Sequence, residues 1–247
     1  MKIKEITAKS ILSKSQIYDY AINPYVGCAH NCVYCYAKFM KRFTGHTEPW
    51  GDFVDVKINA PELLANEIKK KKIGRVWISG VCDAYQPLER KYMITKQCLS
   101  ILAENNWPFT IQTKSPLVLR DIEILKRAGD AEVGFTITTA DDKIRKIFEP
   151  GAPPVNKRIE ALAELHSAGI KTFAMIAPVL PGAEGLVSEL KGKVDHVLID
   201  RLNYHYADRL YKEHGMMWAM QDSFFSEMGK ELMKGFKKEG IACQVLY

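Results

Sequence analysis

Three of the six cysteines fall within eight residues, Cys28, Cys32 and Cys35, spaced C-x3-C-x2-C. Thiolates are soft, electron-rich donors, so three on one short loop point to iron or zinc before any other use. With iron they fill three corners of a [4Fe-4S] cubane. The fourth iron then stays open and can chelate the amino and carboxylate groups of a small molecule. A structural zinc site instead asks for four protein ligands, usually two spaced pairs. Here His30 is the one nearby candidate, and its place inside the loop makes a cramped tetrahedron. Three unrelated core thiols are the remaining alternative, and the clustering argues against it. Met1 to Ser10 is charged and alternating rather than a secretory leader, and no run reaches about 18 apolar residues. The expectation is a cytoplasmic chain without membrane attachment, in which close cysteines signal metal or redox chemistry rather than disulfides.

The rest of the chain alternates strand-like and helix-like stretches. Asn59-Ala60-Pro61-Glu62 predicts a helix start, with Asn59 as cap, Pro61 in the first turn and Glu62 completing a capping box. A strand is expected over 75–79, ending in Gly80, then a helix over 89–104 with Ile94, Cys98, Ile101 and Leu102 on its apolar stripe. Further strands are expected at 109–113, 132–138, 171–177 and 194–202, and helices at 117–128, 141–148, 156–167 and 223–238. Ile241, Cys243, Val245 and Tyr247 alternate as a final strand. With an initial strand near 21–26, this makes about six βα units, hence right-handed crossovers and a parallel sheet.

That rhythm suits an open doubly wound sheet or an incomplete barrel. The missing Gly-x-Gly-x-x-Gly weakens the dinucleotide-binding version, and no Walker motif is present. The expected organisation is one domain over 1–247, with the cluster loop at 27–37 and a C-terminal helix-strand extension at about 223–247. The unpatterned stretch 39–54 reads as an ordered loop carrying His46, Glu48 and Trp50. Charge is modest: 35 basic against 29 acidic residues, or +6, partly gathered in the run Lys69 to Lys72. Such an excess neither demands nor excludes a phosphate-bearing partner.

The cysteine pattern, with an aromatic before its last member, resembles the radical S-adenosylmethionine superfamily. More narrowly the chain resembles the spore photoproduct lyase-like branch, often labelled "DNA repair photolyase". The blocks that carry the likeness are Asn23-Pro24-Tyr25, Gly27-Cys28, Tyr34-Cys35-Tyr36-Ala37, Trp50-Gly51 and Val56-Lys57. They continue through Ser79-Gly80, Asp83 with Tyr85-Gln86-Pro87, Thr113-Lys114-Ser115, Leu119-Arg120-Asp121, Glu149-Pro150, Arg158, Ala168-Gly169 and Ala177-Pro178-Val179. The resemblance implies an incomplete (βα)6 TIM-like barrel, with the cluster loop after the first strand. It implies a [4Fe-4S] cluster on Cys28, Cys32 and Cys35, with S-adenosylmethionine as second cofactor. It also implies a one-electron donor such as flavodoxin or ferredoxin.

Site residues follow from both arguments. The small Ser79-Gly80 edge at a strand end lets a ligand approach backbone carbonyls; the resemblance puts the S-adenosylmethionine amino group there. Lys114 ends the next strand, where an ammonium neutralises a carboxylate, and the resemblance assigns it the cofactor carboxylate. Thr136 shares a strand face with Thr138 and suits a polar ligand in a barrel interior. Ala177, before Pro178, matches a backbone contact to adenine. Asp83 is an acid placed to orient cofactor ribose or substrate, and Tyr85, Gln86 and Glu89 share its polar loop. Arg158 either pairs with Glu149 or meets a substrate phosphate.

Tyr34 and Tyr36 flank Cys35. The resemblance places the matching tyrosines beside the radical site, one as a hydrogen-atom relay. Cys82, just past Ser79-Gly80, is either a hydrogen donor or a packing residue. The branch's donor cysteine falls opposite Gly80, two residues away, so the likeness does not carry that role over directly. Cys98 and Cys243 sit on apolar stripes and read as core.

Three functional classes remain at this point. The first is a radical enzyme acting on nucleic acid or a nucleotide, or else on a small molecule or peptide. The second is a cluster-bearing binding or redox protein. The third is a structural zinc protein.

Overall fold

The computed structural model describes Met1–Tyr247. The chain divides into two units, Met1–Asn31 with Ala37–Val133, and Cys32–Tyr36 with Gly134–Tyr247.

In the first unit, β1 (Lys2–Ile6) runs parallel to β5 (Phe53–Lys57), and β4 (Tyr25–Val26) pairs antiparallel to the other side of β5. A second group of strands runs β2 (Ser13–Lys14), β3 (Tyr20–Ile22), β6 (Val76–Ile78) and β7 (Phe109–Thr113). Within it β2 is the antiparallel edge, while β3, β6 and β7 are parallel, Ala21 facing Trp77 and Trp77 facing Thr110. Val76, Ile78, Phe109 and Ile111 are wholly buried, the near-continuous apolar reading expected of strands covered on both faces. The crossovers are helical: α1 (Ala60–Glu67), α2 (Glu89–Tyr92), α3 (Ile94–Glu104) and α4 (Ile122–Arg127).

β8 (Ala131–Thr136) has residues in both units. The second unit continues with α5 (Asp142–Phe148), α6 (Val155–Ser167), β9 (Lys171–Ile176), α7 (Leu186–Leu190), β10 (His196–Ile199), α8 (Asp208–Glu213), α9 (Asp222–Lys238) and β11 (Ala242–Val245). The strands β9, β10 and β11 are parallel. Phe224, Phe225, Leu232 and Phe236 bury one face of α9.

Most expected elements stand within a residue or two, and four departures have physical causes. The strand expected over 21–26 is two strands in different sheets, β3 and β4, separated by Asn23-Pro24, whose carbonyl on Pro24 accepts from Lys57 N–H at 3.0 Å. Asn59 makes no cap; its side chain bonds both the N–H and C=O of Ala8 at 2.9 Å, tying the N-terminus down. The helix expected over 89–104 breaks at Met93, with φ of 51°. The Glu89 carboxylate folds under the break and accepts from the N–H groups of Thr95 (3.0 Å) and Lys96 (3.1 Å), supplying the second helix's first donors with partners. Pro116–Asp121 forms a tighter 3-10 turn before α4, where one α-helix is expected over 117–128. Cys98 is wholly buried as expected, whereas Cys243 is only half-buried. No helix is long and apolar enough to cross a membrane.

Candidate functional site

The cysteine loop follows β4. Gly27 opens it at φ +88°, and a Cβ there would lie 2.3 Å from the Phe53 carbonyl oxygen, so only glycine fits. Asn31 N–H donates to Cys28 O and Cys35 N–H to Cys32 O, both at 3.2 Å, coiling the loop between its thiols. Gly51 packs flat on this coil; a Cβ there would meet the Asn31 side chain at 2.3 Å. Cys28 and Cys32 are buried, Cys35 half-buried, and none of the six cysteines is in a disulfide. His30 is buried, its Nε2 3.1 Å from Asp83 Oδ2, so the one nearby candidate for a fourth ligand is committed elsewhere. Three thiols and no fourth protein ligand is the donor count of a cluster with one open iron.

Within the first unit, Ser79, Cys82, Asp83 and Lys114 collect at the C-terminal ends of β6 and β7, where parallel α/β folds place their sites. Ser79 is buried and holds φ +69°, an unfavourable conformation for a residue with a side chain. Its N–H donates to Ile22 O at 2.8 Å, while Asn23 Oδ1 accepts from Val81 N–H at 3.0 Å, fixing the turn. A Cβ on Gly80 would lie 3.1 Å from the Trp77 ring, which would have to give by a few tenths of an ångström. The Cys82 thiol donates to Ser79 Oγ at 3.6 Å. Burial pushes its pKa up to about 11, against smaller opposing effects of Ser79 and Lys57, so at neutral pH it keeps its hydrogen. Burial also lowers the Lys57 ammonium from its usual range.

Asp83 is held in a network of its own. Its carboxylate is buried and takes four partners: Tyr85 N–H at 2.9 Å, Thr113 Oγ1 at 2.7 Å, Lys114 N–H at 2.8 Å and His30 at 3.1 Å. Burial pushes this carboxyl up, but His30, Thr113 and the Lys114 N–H outweigh it and hold it below the usual carboxylate range. The rest of the polar loop is likewise internal. Gln86 accepts from Ala29 N–H at 2.9 Å and donates to Gly27 O at 3.2 Å. Tyr85 donates to Asp121, and Glu89 accepts from Tyr25 and Arg120.

Within the second unit, Tyr34 is buried and donates to Glu149. Burial and that carboxylate raise its phenol well above the ordinary range. Glu149 also accepts from Thr138 Oγ1 at 3.1 Å and pairs with Arg158 Nη2 at 2.6 Å, both partners of the pair fully buried. Arg158 therefore takes the structural option; its other nitrogens serve Thr136 O at 3.1 Å and Pro153 O at 2.9 Å. Thr136 is buried at the end of β8, and Ala177 is half-buried one residue beyond β9. Tyr36 behaves unlike Tyr34. It is 40% exposed and stacks on Tyr204 at 6.3 Å, which stacks on Tyr206 at 5.8 Å with planes only 3° apart. Tyr204 and Tyr206 lie on the loop after β10 and are missed by sequence reasoning. The signal available was the Tyr-His-Tyr repeat beyond a strand's C-terminal end.

Residues 22–184 match the Radical SAM superfamily. The chain is 34% identical to an uncharacterized protein of Methanocaldococcus jannaschii, across 98% of this chain and 96% of that protein. It is 27% identical to the radical SAM Nalpha-GlyT isomerase of Pseudomonas phage M6, across 86% of this chain but 44% of the phage protein. Its fold superposes on spore photoproduct lyase complexed with dinucleoside spore photoproduct at a TM-score of 0.74, with 16% identity, covering 99% of this chain and 82% of the lyase. That likeness establishes the incomplete (βα)6 barrel and decides against the open doubly wound sheet. The chain belongs to the radical SAM superfamily, and is an enzyme that works with a 4Fe-4S cluster and S-adenosylmethionine.

Proposed function

We propose that the enzyme acts on a nucleobase, in nucleic acid or a nucleotide, and returns a hydrogen atom to it. In this reading Cys28, Cys32 and Cys35 hold the cluster. Ser79, Gly80, Lys114, Thr136 and Ala177 hold S-adenosylmethionine, with Asp83 behind them. Once bound, the reduced cluster and S-adenosylmethionine supply a 5′-deoxyadenosyl radical that takes hydrogen from substrate. Cys82 keeps a hydrogen on Sγ at neutral pH, which suits a thiol that gives it to the substrate radical and is left as a thiyl radical, restored by one proton and one electron from a flavodoxin- or ferredoxin-like donor; a thiolate has no hydrogen to give. Tyr34, buried against Glu149, walls the cysteine loop. An electron enters from a flavodoxin- or ferredoxin-like donor in a cytoplasmic setting.

The observation that carries the substrate class is the tyrosine stack. Tyr36, next to Cys35, and its neighbours Tyr204 and Tyr206 leave 40%, 48% and 44% of their surfaces to solvent, as offset stacked rings with planes 21° and 3° apart. A flat π surface beside the cluster loop suits a base taken out of its own stack, since base–aromatic stacking is sequence-tolerant and worth about 1–3 kcal/mol per base. The similar proteins lend support, a structural neighbour complexed with dinucleoside spore photoproduct and a relative named a radical SAM Nalpha-GlyT isomerase. The net charge supports it too: all of the +6 lies in the first unit, with 20 basic against 14 acidic residues, while the second is neutral.

The test is an anaerobic titration of a fluorescent single-stranded oligothymidylate, paired with mass spectrometry of 5′-deoxyadenosine under reducing conditions. Binding should weaken with salt at a slope of about two to four phosphate contacts. Tyr204→Ala with Tyr206→Ala should weaken it about fivefold or more. No binding at low salt would return the substrate to the small-molecule or peptide class.

A further inference from the structure

Lys114 is held by its backbone at three consecutive residues. Its own N–H donates to Asp83 Oδ2 at 2.8 Å, and Thr113 Oγ1 donates to Asp83 Oδ1 at 2.7 Å. The same Thr113 oxygen accepts from Ser115 N–H at 2.9 Å. On its other side the Asp83 carboxylate meets His30, which stands two residues from both Cys28 and Cys32. Gln86, three residues along, clamps Gly27 and Ala29 of the same loop. One buried carboxylate thus joins the loop of the cluster thiols to the turn that presents the Lys114 ammonium. Lysine is a point charge on a flexible four-carbon stem, so where its charge can reach is set by where its backbone is pinned.

We propose that Asp83 is a positioning residue for S-adenosylmethionine: it fixes the Lys114 turn at a set distance from the cluster loop, and so sets affinity for the cofactor's carboxylate. The proposal rests on the assignment of Lys114 to that carboxylate. Without Asp83 the same lysine is present but no longer held to the loop, and misplacement of about 1 Å is enough to cost a binding contact.

Asp83→Asn keeps the size and leaves one oxygen for Tyr85 and Thr113. It turns an NH2 toward the Lys114 N–H, setting donor against donor. Iron-loaded protein is titrated anaerobically with S-adenosylmethionine, following the change in the reduced cluster's electron paramagnetic resonance signal. D83N should raise the dissociation constant about tenfold. KM for S-adenosylmethionine should rise with it, while the rate of 5′-deoxyadenosine release at saturation holds. Because Asp83 acts through Lys114, adding Asp83→Asn to Lys114→Met should cost nothing beyond Lys114→Met alone. If Lys114→Met leaves affinity unchanged, the assignment of Lys114 fails. If Lys114→Met weakens binding but loaded D83N binds as the parent does, or the two losses multiply, the positioning role is overturned. Should D83N fail to fold or to load iron, Thr113→Val replaces it, removing one tie while sparing the carboxylate. A severalfold loss that vanishes in the Lys114→Met background is then expected, and unchanged affinity overturns the proposal.

Discussion

Arg158→Met should be among the most damaging single substitutions, although it lies far in sequence from the cysteines. Both members of the Arg158–Glu149 pair are fully buried, 2.6 Å apart. Burial works against the guanidinium charge, but Glu149 more than offsets it and raises the arginine above its ordinary range, so it stays ionised. Methionine of similar reach strands Glu149 and strips donors from Thr136 O and Pro153 O. Removing one partner of a buried pair costs about 3–5 kcal/mol, against a total stability of about 5–15 kcal/mol. For a chain of this length each kcal/mol is worth about 2–4 °C, so the transition should fall by roughly 6–20 °C. The double variant Arg158→Met with Glu149→Met removes the stranded charge. Besides the Thr136 and Pro153 carbonyls, it leaves the Tyr34 and Thr138 hydroxyls without their acceptor, at about 1–3 kcal/mol each. The double should therefore lose less than the sum of the singles. Urea and thermal unfolding followed by circular dichroism decide this. A loss below about 1 kcal/mol for Arg158→Met, or simple additivity in the cycle, would refute the argument that this pair holds the second unit's site together.

Cys28, Cys32 or Cys35 replaced singly by alanine should lose stable four-iron loading, whereas Cys98→Ala should keep it; iron and sulfide assays on reconstituted protein check both. Gly27→Ala combines a positive φ with a 2.3 Å approach to the Phe53 carbonyl. It should disturb loading as severely as loss of a cysteine, and a normal iron content would show that the loop can relax. The Cys82 thiol, with a pKa near 11 in the folded chain against about 8.5 in an unfolded one, favours folding below about pH 8.5. That contribution is lost as pH rises toward 11. Cys82→Ser should flatten this alkaline fall, and alkylation of Cys82 should keep accelerating past pH 9, a plateau by pH 9 excluding the protonated thiol. Cys82→Ala should still cleave S-adenosylmethionine but divert the product, whereas normal product at an undiminished rate would remove Cys82 from the mechanism.

How much of this could be read from the sequence depends on the range of the forces involved. The βα rhythm and the three-thiol loop are local patterns, set by side-chain period and by spacing along a few residues, and they survive folding nearly unchanged. The break at Met93 was invisible because it is made by Glu89 reaching across to Thr95 and Lys96, with Tyr25 and Arg120 completing the carboxylate's shell from distant segments. The pairing of β1 with β5 was missed for a related reason. Lys2–Ile6 is exposed nearly throughout and carries no buried face to betray it, while its partner Phe53–Lys57 is almost wholly buried.

The acids show how much of the scaffolding around a site is set by long-range contacts. Asp83, Glu89 and Glu149 each sit beside a motif residue, and from the chain alone Asp83 reads as a cofactor or substrate contact, Glu89 as part of its polar loop and Glu149 as a partner for Arg158. In the fold all three face inward and collect donors: four for Asp83, and for Glu149 a phenol, a hydroxyl and a guanidinium. A buried carboxylate costs several kcal/mol unless its oxygens are so filled. Tyr34 and Tyr36 are chemically identical and separated by one residue. Tyr34 spends its hydroxyl on Glu149 and closes its ring into the core, whereas Tyr36 stacks on Tyr204 and stays 40% exposed. Of the two tyrosines flanking Cys35, only Tyr36 keeps a large exposed surface.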